Sequence, residues 1–484
     1  MSEHVHIAII GAGFSGIGAG ARLQAAGFED FVILERAESV GGVWRDNRYP
    51  NCACDIESPL YSFSFAPNPN WSRMFSPAAE IHAYLQDCVA RFGLGPHLRL
   101  GCALEAASWD EAQRCWRLET AGGPLRANVL IAGMGALSEP SFPNIPGRER
   151  FEGPSFHTSR WDAEAELDGR RVGVIGTGAS AIQTVPGLQP RVGELCLFQR
   201  TAPWVLPRFD RAFSEREREL FARFPALQRA LRALIYLRHE AYILGFRNPV
   251  VMRAAQRVAL RWLEREVSDP QLREALRPSF TIGCKRVLLS DDYYAAVAAP
   301  NVSLISAGVR EVLPEGVIDS EGRHHQLDAL VWATGFVVAR PPYASYVRGR
   351  GGESLAERWG GSPRAHLGTM VAGFPNLFLL IGPNTGLGHS SQILMLESQL
   401  ELVTAALREL DASGTGSRSL EPRTQAQARF NEEVARGAAG TVWLSGGCSS
   451  WYLDETGYNS TLWPWSTYRF SRRARFEPDD YELR

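Results

Sequence analysis

Two glycine-rich turns, each emerging from a short apolar run and opening a helix-compatible stretch, fix most of what this chain can fold into. The first, Gly11-Ala-Gly13-Phe-Ser-Gly16, follows Val5–Ile10 and leads into Ile17–Ala26. The strand-like Phe31–Leu34 comes next and ends in Glu35, about 20 positions past the glycines, where an acid grips the ribose hydroxyl pair of a bound dinucleotide. The second, Gly176-Thr-Gly178-Ala-Ser-Ala181, follows Arg171–Ile175, and its next strand, Glu194–Gln199, ends in Arg200-Thr201. A guanidinium there suits a ribose 2′-phosphate. In both turns glycine lets the backbone approach a pyrophosphate resting on the helix N-terminus. The expected architecture is α/β, with two Rossmann-like dinucleotide-binding domains, the N-terminal one for FAD and the second for NADP. The expected FAD contacts in these turns are Gly11, Gly13, Ser15, Gly16 and Glu35; the NADP contacts are Thr177, Gly178, Ala179, Ser180, Gln183, Arg200 and Thr201. Two dinucleotides on one polypeptide imply electron transfer between them, and hence a flavoprotein oxidoreductase.

Composition narrows the class by exclusion. At 484 residues, 45% hydrophobic and 21% charged, the chain has the make-up of a globular protein of two or three domains. A net charge of −2 gives no general attraction to nucleic acid or anionic membrane. The longest stretch free of Asp, Glu, Lys and Arg, Ala365–Leu396, is broken by Gly373, Pro375, Gly382 and Pro383 and cannot be one membrane helix. The first strand begins by residue 5, leaving no room for a signal peptide. Eight scattered cysteines, including a Cys52/Cys54 pair too tight for a CxxC motif, read as reduced thiols in a cytoplasmic protein without a disulfide framework. No spacing of His, Cys and carboxylates suggests a metal. Of the 51 basic residues only Lys285 is a lysine.

The organisation follows from the turns. Residues 1–150 form the first part of the FAD domain and end in the apolar Asn128–Ala132 and a proline-rich crossover at Pro140, Pro143 and Pro146. Residues 151–335 form the NADP domain, with a helical insertion at about 212–280, and residues 336–484 complete the FAD domain with Asn376–Ile381 as a further strand. In the insertion Leu220, Phe224, Leu227, Leu231 and Leu234 recur at helical spacing, with arginines elsewhere. This stripe is expected to pack as part of a helical layer, in preference to covering a cleft or touching a membrane.

Several further motifs carry a family resemblance. Phe151-Glu-Gly153-Pro-Ser-Phe-His157-Thr-Ser-Arg-Trp161-Asp162 lies between the two turns and resembles the FxGxxxHxxxW(P/D) fingerprint of type I Baeyer–Villiger monooxygenases. Gly41-Gly42-Val43-Trp44, Tyr49-Pro50 and Asp55 are similar to the family's GGxWxxxxYPGxxxD signature, with Asn51 at the turn where glycine or methionine is usual. Gly283-Cys-Lys285-Arg286 and Ser450-Trp451-Tyr452 resemble segments that reach the 2′-phosphate, the flavin and the nicotinamide. The resemblance spans nearly the whole chain and says least about the insertion. It adds Val43, Trp44, Asp55 and Tyr61 to the expected FAD site, and Lys285, Arg286 and Trp451 to the NADP site.

The resemblance implies NADPH- and O2-dependent insertion of one oxygen next to a ketone carbonyl, through a C4a-peroxyflavin, to give an ester or lactone. Attack on a carbonyl needs an anionic oxygen nucleophile, which a fixed cation stabilises. Arginine suits that role because it keeps its proton. Arg286 is the expected catalytic cation and Asp55 the carboxylate that orients it. His157 is expected to set interdomain geometry. Leu288, Leu289, Trp443 and Leu444 are candidates for a pocket that takes a lipophilic ketone, and the protein is expected to be a monomer or simple homo-oligomer without stable membrane insertion. Three alternatives remain at this stage: oxidation of sulfur or nitrogen by a related flavin monooxygenase, a dithiol reductase, and a non-enzymatic redox sensor.

Overall fold

The computed structural model describes residues 3–412 and 418–484. Both glycine turns stand where the sequence puts them. Strand β1 (Glu3–Ile10), its last four residues buried, runs into the first turn and helix α1 (Phe14–Ala25), and β2 (Phe31–Leu34) follows. Helices α2 (Val43–Asp46) and α3 (Ala78–Arg91) precede β3 (Leu98–Arg99), β4 (Leu104–Asp110), β5 (Cys115–Thr120) and β6 (Leu125–Ala132). β1 is central, parallel to both β2 and β6, while β4, β5 and β6 form an antiparallel meander. Such central strands are covered on both faces, which is why β1, β2 and β6 read as near-continuous apolar runs. On one face α1 and the helix Gln392–Asp411 bury Ile17, Leu23, Leu396 and Leu400.

The second turn repeats the arrangement. β7 (Ser155–His157), β8 (Arg171–Ile175), α4 (Ala181–Leu188) and β9 (Glu194–Phe198) lead to β10 (Val205–Leu206), then helices α5 (Glu215–Arg223), α6 (Pro225–Arg247) and α7 (Pro249–Glu266). The chain returns through β11 (Leu288–Leu289) and β12 (Val302–Ile305), a meander of β13 (Val309–Leu313), β14 (Gly316–Asp319) and β15 (His324–Gln326), and β16 (Ala329–Trp332). The resulting all-parallel sheet has the order β12-β9-β8-β16-β7. Thereafter β17 (Val347–Arg348) and β18 (Leu377–Leu379) join β4 and β6 of the first sheet. β18 is shorter than the expected Asn376–Ile381 because Asn376 and Ile381 both adopt φ +55°, outside the extended region.

Three sequence expectations are corrected. The stripe read as the packed face of the insertion is largely its outer face: Leu220, Phe224, Leu227 and Leu234 are exposed, and Leu231 is partly buried. The inward face of α6 carries Gln228, Ile235, His239 and Ile243. Two of these are polar but fully engaged: Gln228 donates to the Asn68 carbonyl, and His239 bridges the His389 carbonyl and the Glu57 carboxylate. Secondly, His324-His325, which its polar sequence neighbours mark as a solvated turn, lies on β15, and His325 stands 2.9 Å from the buried Asp319 carboxylate.

Thirdly, Cys284 is not a free thiol. It forms a disulfide with Cys448, 164 residues away, while Cys52, Cys54, Cys88, Cys102, Cys115 and Cys196 are free and buried. The bridge ties the segment before Lys285 to the one before Trp451. Closing a loop of that size restricts the unfolded chain, so Cys448→Ser is expected to lower unfolding free energy by about 2–5 kcal/mol. Urea titrations with and without reductant check this: reductant should destabilise the native sequence and leave the variant unchanged.

Two fully buried histidines set the acid response. Burial lowers His157 to about 4 and His366 to about 4, from an ordinary 6.5. Each therefore takes up a proton in the unfolded chain before the folded one, so its stabilising contribution is complete above about pH 6.5 and is lost as pH falls toward 4. Glu397, raised by burial, pulls the other way near the bottom of that window. Urea midpoints should fall by the equivalent of about 1–3 kcal/mol per histidine between pH 6.5 and 4.5. A flat profile there contradicts the neutral, buried state of both rings.

Candidate active site

The carboxyl ends of the strands in both parallel arrays open onto one cavity of about 1260 Å3, the general location of ligand sites in such sheets. From the first array come Gly11, Gly13, Ser15, Glu35, Val43, Trp44, Asp55 and Tyr61; from the second come Thr177, Gly178, Ala179, Ser180, Gln183, Arg200, Thr201, Lys285 and Arg286; Trp451 completes the set. Gly16, the remaining candidate, lies behind the wall. A Cβ there would stand 1.8 Å from the Gly11 carbonyl oxygen, so only glycine lets α1 close onto its turn. Gly176 matches Gly11: both adopt positive φ, +108° and +96°, and stand against the backbone of the neighbouring strand end, at Ala333 and Gly133.

Asp55 and Arg286, 231 positions apart, meet at this cavity. The Arg286 Nε donates to Asp55 Oδ2 at 2.6 Å, and its Nη2 is 2.6 Å from the same oxygen. Both side chains are about one-quarter exposed, which leaves the cation facing the cavity. The Asp55 carboxylate holds the Arg286 guanidinium protonated well above the ordinary arginine range. Behind it the Tyr452 hydroxyl, buried and pushed up to about 12, lies beside the guanidinium. Asn51, the departure from the family signature, adopts φ +59°, a conformation asparagine tolerates nearly as glycine does. The turn therefore keeps its path to Asp55.

The remaining candidates divide into cavity groups and clamps. Glu35 is buried; its carboxylate accepts from the Ala12 and Ala37 amides and from Arg45 Nη1 at 3.1 Å. Arg45 was not anticipated, although it directly follows the Trp44 of the signature. Trp44 donates to the Tyr61 hydroxyl at 3.2 Å. Lys285 stacks its ammonium 5.1 Å from the Phe280 ring centre, and burial together with the nearby Arg200 cation lowers its pKa. Gln183, expected among the NADP contacts, spends its amide on the Tyr49 hydroxyl and on both backbone groups of Ala53. Trp161 stands edge-on to Phe156 and packs against Tyr49 and Cys52. Gln183 and Trp161 thus pin the Tyr49–Asp55 segment to the second sheet. Buried His157 bonds Ser159 and stands edge-on to Phe142 and Phe336 of the crossovers. Of the four pocket candidates Leu288 lines the cavity and Leu289 does not; Trp443 is buried away from it and Leu444 is exposed.

Known proteins share this arrangement over its full length. A family model described as pyridine nucleotide-disulphide oxidoreductase matches residues 8–212. A Baeyer–Villiger monooxygenase of Streptomyces coelicolor is 48% identical over 98% of this chain and 91% of its own. The chain belongs to the Baeyer–Villiger monooxygenases. Among solved structures, cyclohexanone monooxygenase from Rhodococcus sp. Phi1 bound to NADP+ matches with a TM-score of 0.90 at 27% identity, covering all of both chains. OTEMO in complex with FAD and NADP matches with a TM-score of 0.89 at 26% identity, again over all of both chains.

The site of this Baeyer–Villiger monooxygenase fits both cofactors on its own chemistry. α1 and α4 begin without any side-chain cap, so their first amides are left to an anion at the cavity. The Cβ direction of Gly178 meets no protein atom within 4 Å, leaving a cradle open beside the second turn. Lys285 and Arg200 repel each other across the same region, an arrangement a phosphate dianion between them relieves. No group of three or more His, Cys, Asp or Glu able to hold a metal occurs among the described residues. The dithiol alternative is disfavoured on chemistry: the Cys284–Cys448 bridge does not line the cavity, and burial raises the thiols of Cys52 and Cys54, which do line it, above the range of a redox-active thiolate.

Proposed function

We propose that this chain uses FAD, NADPH and O2 to insert one oxygen atom beside the carbonyl of a lipophilic ketone, with Arg286 and Asp55 as its catalytic pair. The net reaction consumes ketone, O2, NADPH and a proton and yields ester or lactone, NADP+ and water. The observation that carries this reading is the 2.6 Å contact between Asp55 and Arg286 at the cavity shared by both glycine turns.

When bound, FAD accepts hydride from NADPH and activates dioxygen. The chain supplies the rest. Arg286 presents a permanently charged, preorganised cation, which stabilises negative oxygen in the partly enclosed site and costs no reorganisation during reaction. Asp55 fixes the guanidinium plane and leaves its remaining N–H groups directed elsewhere. Lys285 and Arg200 bind the 2′-phosphate and select NADPH over NADH. Trp451, about half exposed beside buried Tyr452, offers an aromatic face at the nicotinamide end. Gln183 and Trp161 keep the Asp55 segment registered on the NADP sheet, and His157 braces the crossovers. The two sheets support the domain reading of residues 1–150 with 336–484 around FAD and 151–335 around NADP. A cytoplasmic site of action is part of this reading, with six cysteines free and Cys284–Cys448 bridged; among the described residues no helix is long and apolar enough to cross a membrane.

Oxidation of sulfur or nitrogen needs no such cation beside the reacting oxygen, so the Asp55–Arg286 pair at the cavity favours the ketone reaction. The test is mass-spectrometric product analysis of the FAD-loaded enzyme with NADPH, O2 and a mixed panel of ketones and thioethers. Esters or lactones carrying one added oxygen are expected; sulfoxides with every ketone unchanged overturn the assignment.

A further inference from the structure

The outer face of the insertion is the least explained surface of the molecule. On α6 the exposed positions Leu227, Leu234, Leu237 and Leu244, with the intervening alanines Ala230, Ala233 and Ala241, fall within an arc of roughly 120° at 100° per residue. Leu234, Leu237 and Leu244 are each about two-thirds exposed. α7 also exposes Val250, Val251 and Val258. An isolated exposed leucine needs no explanation, whereas a stripe of four along one face of a helix does.

The exposed charges beside the stripe are arginines. Arg229 flanks it on one side, with Arg247, which donates to the Gly437 and Pro464 carbonyls, and Arg238, paired with the buried Glu57, lies on the other; α7 adds exposed Arg253, Arg257 and Arg261. Glu240 is the only carboxylate between Phe221 and Leu263. It is directed inward, accepting from Thr467 and pairing with His389. A net charge of −2 for the chain therefore hides a cationic, apolar face.

We infer that this face docks on the surface of an anionic lipid bilayer, with the leucine stripe dipped into the headgroup boundary and the flanking arginines on the phosphates. Charge selects this occupant. A second copy of the same face would set arginine against arginine with no carboxylate to answer them, at a cost in Coulomb repulsion. An anionic headgroup layer complements both features at once, since interfacial helices combine an apolar face with flanking basic residues and low overall hydrophobicity. The helices lie on the surface without crossing it, because neither is apolar enough to span. The inner side of the same helices packs Ile243, Phe246 and Met252 against Trp443, Tyr452 and Leu462. Tyr452 stands beside Arg286 and Leu462 lines the cavity. Docking would thus set the membrane one helix layer from the reaction site, where a lipophilic substrate partitions.

The test is co-sedimentation of the FAD-loaded enzyme with vesicles of phosphatidylcholine alone and of phosphatidylcholine with phosphatidylglycerol. Binding at least about tenfold tighter to the anionic vesicles is expected, weakening in about 0.5 M salt. The L234S/L237S/L244S variant should lose about tenfold of that binding while keeping bound flavin and NADPH oxidation, since none of the three touches the cavity. Absence of binding to anionic vesicles, equal binding to both compositions, or unchanged binding of the variant each overturns the inference. So does a solution dimer of the native enzyme that the same variant dissociates, which would make the face a self-interface.

Discussion

Arg286→Ala is expected to hold FAD and to be reduced by saturating NADPH at close to the native rate, yet to form ester about a hundred- to a thousand-fold more slowly. NADPH consumption should persist and end in hydrogen peroxide. The separation follows from position. Arg286 meets Asp55 at the cavity wall and takes no part in the glycine turns or helix N-termini that face the cavity. Asp55 is already about one-quarter exposed with Arg286 in place and takes up water when the guanidinium is removed, so the fold should survive. Arg286→Lys keeps the charge and loses the fork that seats two nitrogens on Asp55 Oδ2, and should recover only part of the rate. Stopped-flow reduction alongside product quantification checks both variants. Native ester formation in the alanine variant contradicts the assigned role.

The second large effect concerns the only lysine. Lys285→Ala should raise the KM for NADPH about ten- to a hundred-fold, the equivalent of about 1.5–3 kcal/mol for a charge-assisted contact. The KM for NADH should move little. Arg200→Ala should behave alike. The double variant should raise the KM for NADPH further than either single change. Equal rises for NADPH and NADH would place Lys285 elsewhere than at the 2′-phosphate.

How much of this was legible in the chain depends on range. The two turns and their strands were legible because each is a local device: a glycine where no Cβ fits and an apolar strand before it. Asp55 and Arg286 stood out only through family motifs, since 231 residues separate them and nothing local announces their contact. The Cys284–Cys448 bridge was missed for the same reason. Spacing in sequence carries no information about two thiols brought together by separate elements.

The insertion failed differently. A 3.6-residue period reports that a helix has two unlike faces and does not say which one turns inward. On α6 the inward face contains Gln228 and His239, and hydrogen bonds to Asn68, Glu57 and His389 satisfy them. The leucines, with no such partners, remain outside. The role of Gln183 was shifted likewise: its place in the turn is as expected, but its amide answers Ala53 and Tyr49. A residue type at the right position names what it is able to bond, and the neighbouring chain decides what it does bond.

The central claim is that this chain places one atom of O2 next to a ketone carbonyl under the field of Arg286. The most direct measurement supplies isotopically labelled dioxygen to the FAD-loaded enzyme with NADPH and a lipophilic ketone panel, beside the Arg286→Ala variant. The account predicts ester or lactone carrying a single labelled oxygen from the native enzyme, and label diverted to hydrogen peroxide in the variant. Unlabelled ester, or labelled ester formed equally by both proteins, would contradict it.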